Sequence, residues 1–216
     1  MVRAIAAALL LSSAAPAVAA GTGVAGRGAI RLLPGWHLSW DDPFQANARA
    51  VGIPLGYPRE GGPGGFAGFA YGASDDLELG IDFYGAFRQF TVTGDRPLTL
   101  GAYGLIPSAR WVPVAASDGG MELHVQLGLG PVLANVTGNA QVSGESVATG
   151  LLGGAGVSWH VTDTWALSLE YRYLFARPAA PKPVGGTVGA GGHFLLVGVA
   201  WHTAGQAPRQ VRMDGF

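Results

Sequence analysis

Leu77, Leu79, Ile81, Phe83, Gly85 and Phe87 alternate with Glu78, Gly80, Asp82, Tyr84, Ala86 and Arg88. Met121, Leu123, Val125, Leu127 and Leu129 alternate with Glu122, His124, Gln126, Gly128 and Gly130. Trp165, Leu167, Leu169, Tyr171, Tyr173 and Phe175 alternate with Ala166, Ser168, Glu170, Arg172 and Leu174. Successive strand side chains project to opposite faces, so this period of two predicts strands with one apolar and one polar face. Weaker patterns over 29–40, 65–73, 98–112, 147–161 and 193–202 bring the expected strands to eight. Pro34 interrupts the first, which predicts a bulge or bend there. The second is too Gly-rich to assign its faces, and the first half of 98–112 does not alternate cleanly.

The connections sort these strands into an architecture. Links at 74–76, 115–120 and 162–164 are short, whereas those at 41–64, 89–97, 134–146 and 176–192 are long. Short and long links alternate along the chain, as in transmembrane barrels with tight periplasmic turns and longer outer loops. Trp111, Trp159, Trp165 and Trp201 all fall at strand ends bordering short turns. Trp40, Phe87, Tyr173 and Phe175 fall at the other ends. Two girdles result, at the two levels where amphipathic rings anchor a barrel to the membrane–water interface. The core of a soluble sandwich has no need of bulky rings gathered at strand ends. The expected fold is therefore all-β, an eight-stranded antiparallel up-and-down transmembrane β-barrel, its short turns facing the periplasm.

Composition narrows the picture further. Charged residues are 12% of the chain, about half the usual share of a soluble protein. Past the N-terminus no apolar run approaches the roughly 20 residues of a spanning helix, so the hydrophobicity must reside in strands. Arg3, the apolar stretch 4–11 and small residues up to Ala20 read as a secretory signal over 1–20, cleaved near Ala20. Residues 21–27 follow as an N-terminal segment, 28–203 as the barrel and 204–216 as a polar tail. The chain has no Cys, which excludes disulfides, thiol catalysis, thiolate metal sites and an acylated Cys anchor. A formal net charge of −1 gives no reason to expect a nucleic-acid partner.

The Gly-rich strand with Gly154, Gly156, Ser158 and Trp159, the tight turn Thr162, Asp163, Thr164, and then Trp165, Leu169, Glu170, Tyr171, Arg172 and Tyr173 resemble the sixth and seventh strands of a known group. That group is the superfamily of small eight-stranded outer-membrane barrels of Gram-negative bacteria, and the resemblance covers roughly 28–203. It implies residence in the outer membrane, with its lipids and lipopolysaccharide and the barrel assembly machinery as partners. It specifies architecture but no activity. Many such barrels end on the last strand with an aromatic residue, whereas here a tail that does not alternate runs to Phe216.

The interior of an eight-stranded barrel is just wide enough to be filled by side chains. The inward positions would carry Glu78, Asp82, Glu122 and Glu170 against Arg31, Arg88, Arg110 and Arg172, with His124, Gln126, His160 and Tyr84 among them. Buried charges must be paired, so this balance predicts a closed interior held by ion pairs, where a selective pore would favour a ring of one sign. Inward Gly128, Gly130, Gly150, Gly154 and Gly156 leave open a narrow channel or a small-ligand slot. His37 and Ser39 share a face near the outer rim, followed by Asp41 and Asp42, the ingredients of an acyl hydrolase or transferase acting on lipid. Known motifs of that kind place these residues in other contexts, so none of their roles carries over, and a polar rim is the reading preferred for them. No metal or cofactor is expected. The leading expectation is a non-enzymatic barrel with an envelope or surface-interaction role carried by its outer loops.

Overall fold

The computed structural model describes residues 23–39, 43–53, 55, 61–92, 96–114, 120–139 and 142–203. Residues 1–20, the tail 204–216, Trp40, Asp41 and Asp42 lie outside them, so the expectations placed there have no structural counterpart. Eight antiparallel strands follow one another around a closed barrel. They are β1 (Gly28–Leu38), β2 (Gly62–Gly72), β3 (Leu77–Phe90), β4 (Leu98–Val114), β5 (Met121–Asn139), β6 (Val142–His160), β7 (Trp165–Phe175) and β8 (Gly192–His202). Pairing of β1 with β8 closes the circle, and Thr203 secures the seam: its backbone N–H donates to the Gly28 carbonyl at 2.9 Å, while its hydroxyl accepts from the Gly28 N–H at 2.8 Å.

The outward face is an apolar belt. Ile30, Leu32, Phe69, Ile81, Leu127 and Val197 are all more than half exposed. In water such a surface would aggregate, and in a bilayer it is the contact surface. Among the described residues no helix is long and apolar enough to cross a membrane; strands do the crossing, and closure leaves no unpaired strand edge within the belt. At the short-turn end Trp165 faces Trp201 across β7 and β8, and Trp111 and Trp159 stand exposed on β4 and β6. At the long-loop end Trp36, Phe87, Tyr173 and Phe175 are exposed in turn.

Several expectations are corrected. Pro34 makes no bulge: the β1–β2 register runs unbroken from Gly28↔Tyr71 to His37↔Gly62. Its ring points outward, and only the β1–β8 ladder skips it. An irregularity occurs instead in β4, between Trp111 and Val114. The glycine-rich β2 resolves with Phe66 and Ala70 inside and Phe69 and Tyr71 outside. The expected long loop over 134–146 is a continuation of strand: β5 and β6 stay paired to Val136↔Gly144 and then Asn139↔Val142. Small polar residues there resemble loop composition, but a hairpin satisfies their backbone groups and lets Val136 and Val142 turn inward.

The other long connections are also more ordered than composition implies. Helix α1 (Pro43–Ala50) begins on a proline, whose missing N–H costs nothing at that position, and gives way to Gly52 at φ +79°. Its Phe44 and Ala48 are fully buried. The β7–β8 connection folds back on itself through Val188 N–H to Pro178 carbonyl and Ala180 N–H to Gly186 carbonyl, both 2.9 Å. Asn47 of α1 donates to the Gly185 carbonyl at 3.2 Å, tying the two segments together over the barrel mouth.

Candidate functional site

Among the described residues, buried polar side chains concentrate in the barrel interior, which divides into two halves. In the half near the short turns, opposite charges on inward positions meet across the lumen, mostly from strands that are not neighbours. Arg31 on β1 donates to Glu78 on β3. Arg110 on β4 reaches Glu170 on β7 at 3.3 Å and Gln126 on β5 at 3.1 Å, while its Nε lies 4.0 Å from Glu78. Arg172 on β7 pairs with Glu170 at 2.7 Å and with Asp82 at 3.2 Å. Asp82 also accepts from Ser108 at 3.0 Å and from Gln126. His124 lies 3.5 Å from Glu170, and His160 lies 3.4 Å from Glu122 and stacks on His202 at 5.0 Å. Ser158 and Ser168 bond to each other at 2.8 Å.

Period-two reading brought most of these residues to one face, but it missed Arg27. This residue precedes β1 and bridges Glu122 at 2.7 Å and Glu78 at 3.2 Å. Its parity with Ala29 and Arg31 already pointed inward; the strand boundary drawn at Gly28 hid it. Segment 23–27 closes the short-turn mouth, with Val24 fully buried and its N–H bonded to the Asp75 carbonyl at 2.9 Å. Arg88 makes the opposite departure. It lies near the long-loop end, with its guanidinium 4.7 Å from the Phe90 ring and Nη2 3.5 Å from the Gly189 carbonyl. Arg27 thus replaces Arg88 in the four-against-four charge balance.

The half near the long loops is mainly apolar, with Arg88 and His37 buried among its rings. Leu33, Phe66, Phe90, Leu98, Ile106 and Phe194 are buried there against one another. Phe194 meets Phe66 and Tyr84 edge-on at 5.2 and 5.8 Å, a favoured aromatic arrangement. Phe44 of α1 packs on Phe90 at 5.5 Å, and Val184, Val188 and Ala190 press in from the β7–β8 connection. Tyr84 donates its hydroxyl to the Ala190 carbonyl. Arg172 marks the boundary, its guanidinium 4.4 Å from the Phe66 ring. The inward glycines are covered rather than hollow: a Cβ on Gly156 would run into His124 and Glu170.

His37 and Ser39 form no catalytic pair. His37 is buried, stacked on Phe194 at 4.7 Å, with Nε2 2.9 Å from the Gly191 carbonyl. No hydrogen bond joins it to Ser39, which borders a separate recess on the rim. Among the described residues no three His, Asp or Glu side chains gather to hold a metal.

No protein-family model and no curated protein sequence matches the chain. Solved structures do. OprG, an outer membrane protein of Pseudomonas aeruginosa, superimposes with a TM-score of 0.55 at 14% identity, over 85% of this chain and 98% of its own. Neisserial surface protein A gives 0.53 at 16% identity, over 82% and 97%. Ail, the attachment invasion locus protein of Yersinia pestis, solved with the heparin analogue sucrose octasulfate, gives 0.51 at 15% identity, over 83% and 99%. The chain has the fold of the small eight-stranded outer-membrane barrels. At these identities the likeness concerns architecture, and the interior contacts above are this chain's own.

Proposed function

We propose that this protein is an integral barrel of the Gram-negative outer membrane with a closed interior, acting through its long-loop surface rather than by catalysis or transport. The observation that carries this reading is the filling of the lumen. Paired charges occupy one half and packed apolar side chains the other, and segment 23–27 and the α1 cap lie across the two mouths. The interior recess beside His37, Arg88 and Ala190 holds about 10 Å³, room for about one water at most. With the mature N-terminus on the periplasmic side, the short turns face inward to the cell and the α1 cap, the β5–β6 hairpin and the β7–β8 connection face outward. Outer-membrane lipids and lipopolysaccharide are then its immediate surroundings, and the barrel assembly machinery its route of entry. Two of the structural neighbours are named for surface location or attachment, which supports a role at the cell surface.

An enzymatic reading needs a base in reach of its nucleophile, and His37 is committed to a backbone carbonyl instead. A channel reading needs a wet path, and the inward glycines make room for the ion-pair network. Conductance in planar bilayers tests the proposal: the folded barrel should give no sustained single-channel steps, and stable, sizeable steps would overturn it.

A further inference from the structure

Two strands that pair within the membrane separate above it. β6 is 19 residues long and β7 is 11, and their ladder ends at Leu151↔Phe175, level with the outer aromatic girdle. β6 continues upward with β5 as far as Asn139↔Val142. The chain leaving β7 pairs with the other side instead: the Ala190 N–H donates to the Ala176 carbonyl at 3.1 Å and the Val188 N–H to the Pro178 carbonyl at 2.9 Å. This hairpin turns in over the lumen, with Ala176, Val188 and Ala190 buried. The upper edge of β6 is left without a neighbouring strand. Across the same tall wall, the upper edge of β3 is closed by the bridge Leu55↔Val92.

Successive residues of a strand direct their backbone groups to opposite neighbours. The His160 N–H bonds to Gly120 on the β5 side and the Val161 N–H to Trp165 on the β7 side, so odd-numbered residues of β6 point away from β5. The register of β6 runs unbroken from Trp159 to Gly144. Ser143, Glu145, Val147 and Thr149 therefore line the open edge, and among the described residues no backbone group meets theirs there. Their side chains are exposed, Val147 by 63%. The β7–β8 connection touches β6 from the inner side, where Ser146 donates its hydroxyl to the Ala179 carbonyl at 2.6 Å and Gly144 lies beside Pro181. At strand tilts of 35–45° the edge stands roughly 5–20 Å above Leu151, clear of the bilayer.

The chemistry of the edge names its occupant. A row of unpaired N–H and C=O groups is matched by another extended chain. Residues 142–150 contain neither proline nor lysine to turn one away. Val147 lies opposite Leu133 on the outward face, and Glu145, opposite Asn135, carries the one charge of the segment. The strand that fits has an aliphatic residue beside Val147 and a basic one beside Glu145. A second copy fits poorly: two barrels in one membrane hold Glu145 at the same height, so edge-to-edge contact would set like charges level.

We propose that the upper edge of β6 is a strand-addition site for an extended segment of another protein outside the cell, with a basic residue paired to Glu145 and an aliphatic one to Val147. It rests on the proposed membrane placement and gives the long-loop surface a kind of partner. The probe is a synthetic acetylated and amidated strand, Thr-Ser-Val-Thr-Lys-Ser-Thr, which sets its valine against Val147 and its lysine against Glu145 in antiparallel register. The full-length barrel is folded into phosphatidylcholine nanodiscs, a heat-sensitive shift in gel mobility reports folding, and backbone amides are followed by NMR up to about 1 mM peptide. Amide shifts and slowed hydrogen exchange should centre on Glu145, Val147 and Thr149. N-methylating the valine and lysine of the peptide should abolish binding, because those amides face the edge. Exchanging its lysine for glutamate should weaken binding about fivefold, the worth of a charge pair across a ladder. Val147→Pro removes one edge donor without touching the β5 ladder and should also abolish it; the N-methylated peptide carries the same test on the unaltered protein. Failure to fold in the bilayer counts against the membrane placement. A folded barrel that binds no peptide, equal binding of the N-methylated peptide, or shifts centred away from residues 143–149 would overturn the strand-addition site alone.

Discussion

The two halves of the interior are closed by different physics. Near the short turns, guanidiniums and carboxylates from five strands and the N-terminal segment interlock, and each group is tolerable because an opposite charge meets it. Near the long loops, aromatic and aliphatic side chains exclude water by packing, with α1 and the β7–β8 connection completing the cover. A lone truncation among the ion pairs of the first half strands a charge. Among the packed aliphatic side chains of the second it leaves a void. The two faults respond differently to a second truncation, which offers a way to tell the mechanisms apart.

The largest effect is expected at Glu170, which meets Arg110, Arg172 and His124. Glu170→Leu should destabilise the barrel by about 3–5 kcal/mol, the cost of an uncompensated buried charge. Adding Arg172→Met should restore part of that loss. Urea unfolding in lipid vesicles, followed by tryptophan fluorescence, measures both; a double variant weaker than the sum of its parts would break the ion-pair account. Next comes Leu33→Ala in the apolar half, expected to cost about 2–4 kcal/mol through lost contacts and a residual cavity. Here Leu196→Ala on the adjoining strand should add to the damage. Recovery in this second pair would erase the distinction between the halves.

The same division explains what could be read from the sequence. The lower half was legible because Glu78, Asp82, Glu122, Glu170, Arg110 and Arg172 contrast with the outward leucines and aromatics, and contrast is all that period two detects. The upper half was opaque because both faces are apolar. On β4, inward Leu98, Leu100 and Ala102 blur into outward Tyr103 and Leu105, and the alternation disappears although the strand does not. Arg88 shares its parity with the network charges, but parity gives the face of a residue and not its height along the barrel axis. Helix α1 and the folded β7–β8 connection have the composition of loops because their order comes from docking onto the barrel: Phe44 packs on Phe90, and Asn47 reaches Gly185. The division into two halves, the main property of the site, was hidden by the same averaging.

Arg27 tests how far the charged half depends on the segment that precedes the barrel. Arg27→Gln removes the group that spans Glu78 and Glu122 at the short-turn mouth. At 12% exposure some solvent screening remains, so a loss of about 1.5–3 kcal/mol is expected, the range for hydrogen bonds to charged groups. Amide hydrogen exchange at Val24 and Gly26, whose N–H groups bond to Asp75 and Gly72, should accelerate more than exchange in the strands. Uniform acceleration would mean that the segment is not held by Arg27.

The smallest expected effect asks whether charge or mere polarity makes the short-turn half sensitive. Ser158 and Ser168 face each other on β6 and β7, buried and bonded only by neutral hydroxyls. Ser158→Ala leaves one hydroxyl without its partner and should cost about 1 kcal/mol; replacing both serines by alanine should return close to wild-type stability, since neither state then buries an unmatched group. The pair has the same logic as Glu170 with Arg172, at a fraction of the magnitude. If Ser158→Ala cost as much as Glu170→Leu, the sensitivity of this half would lie in its tight geometry, and the distinction drawn between pairing and packing would be one of degree.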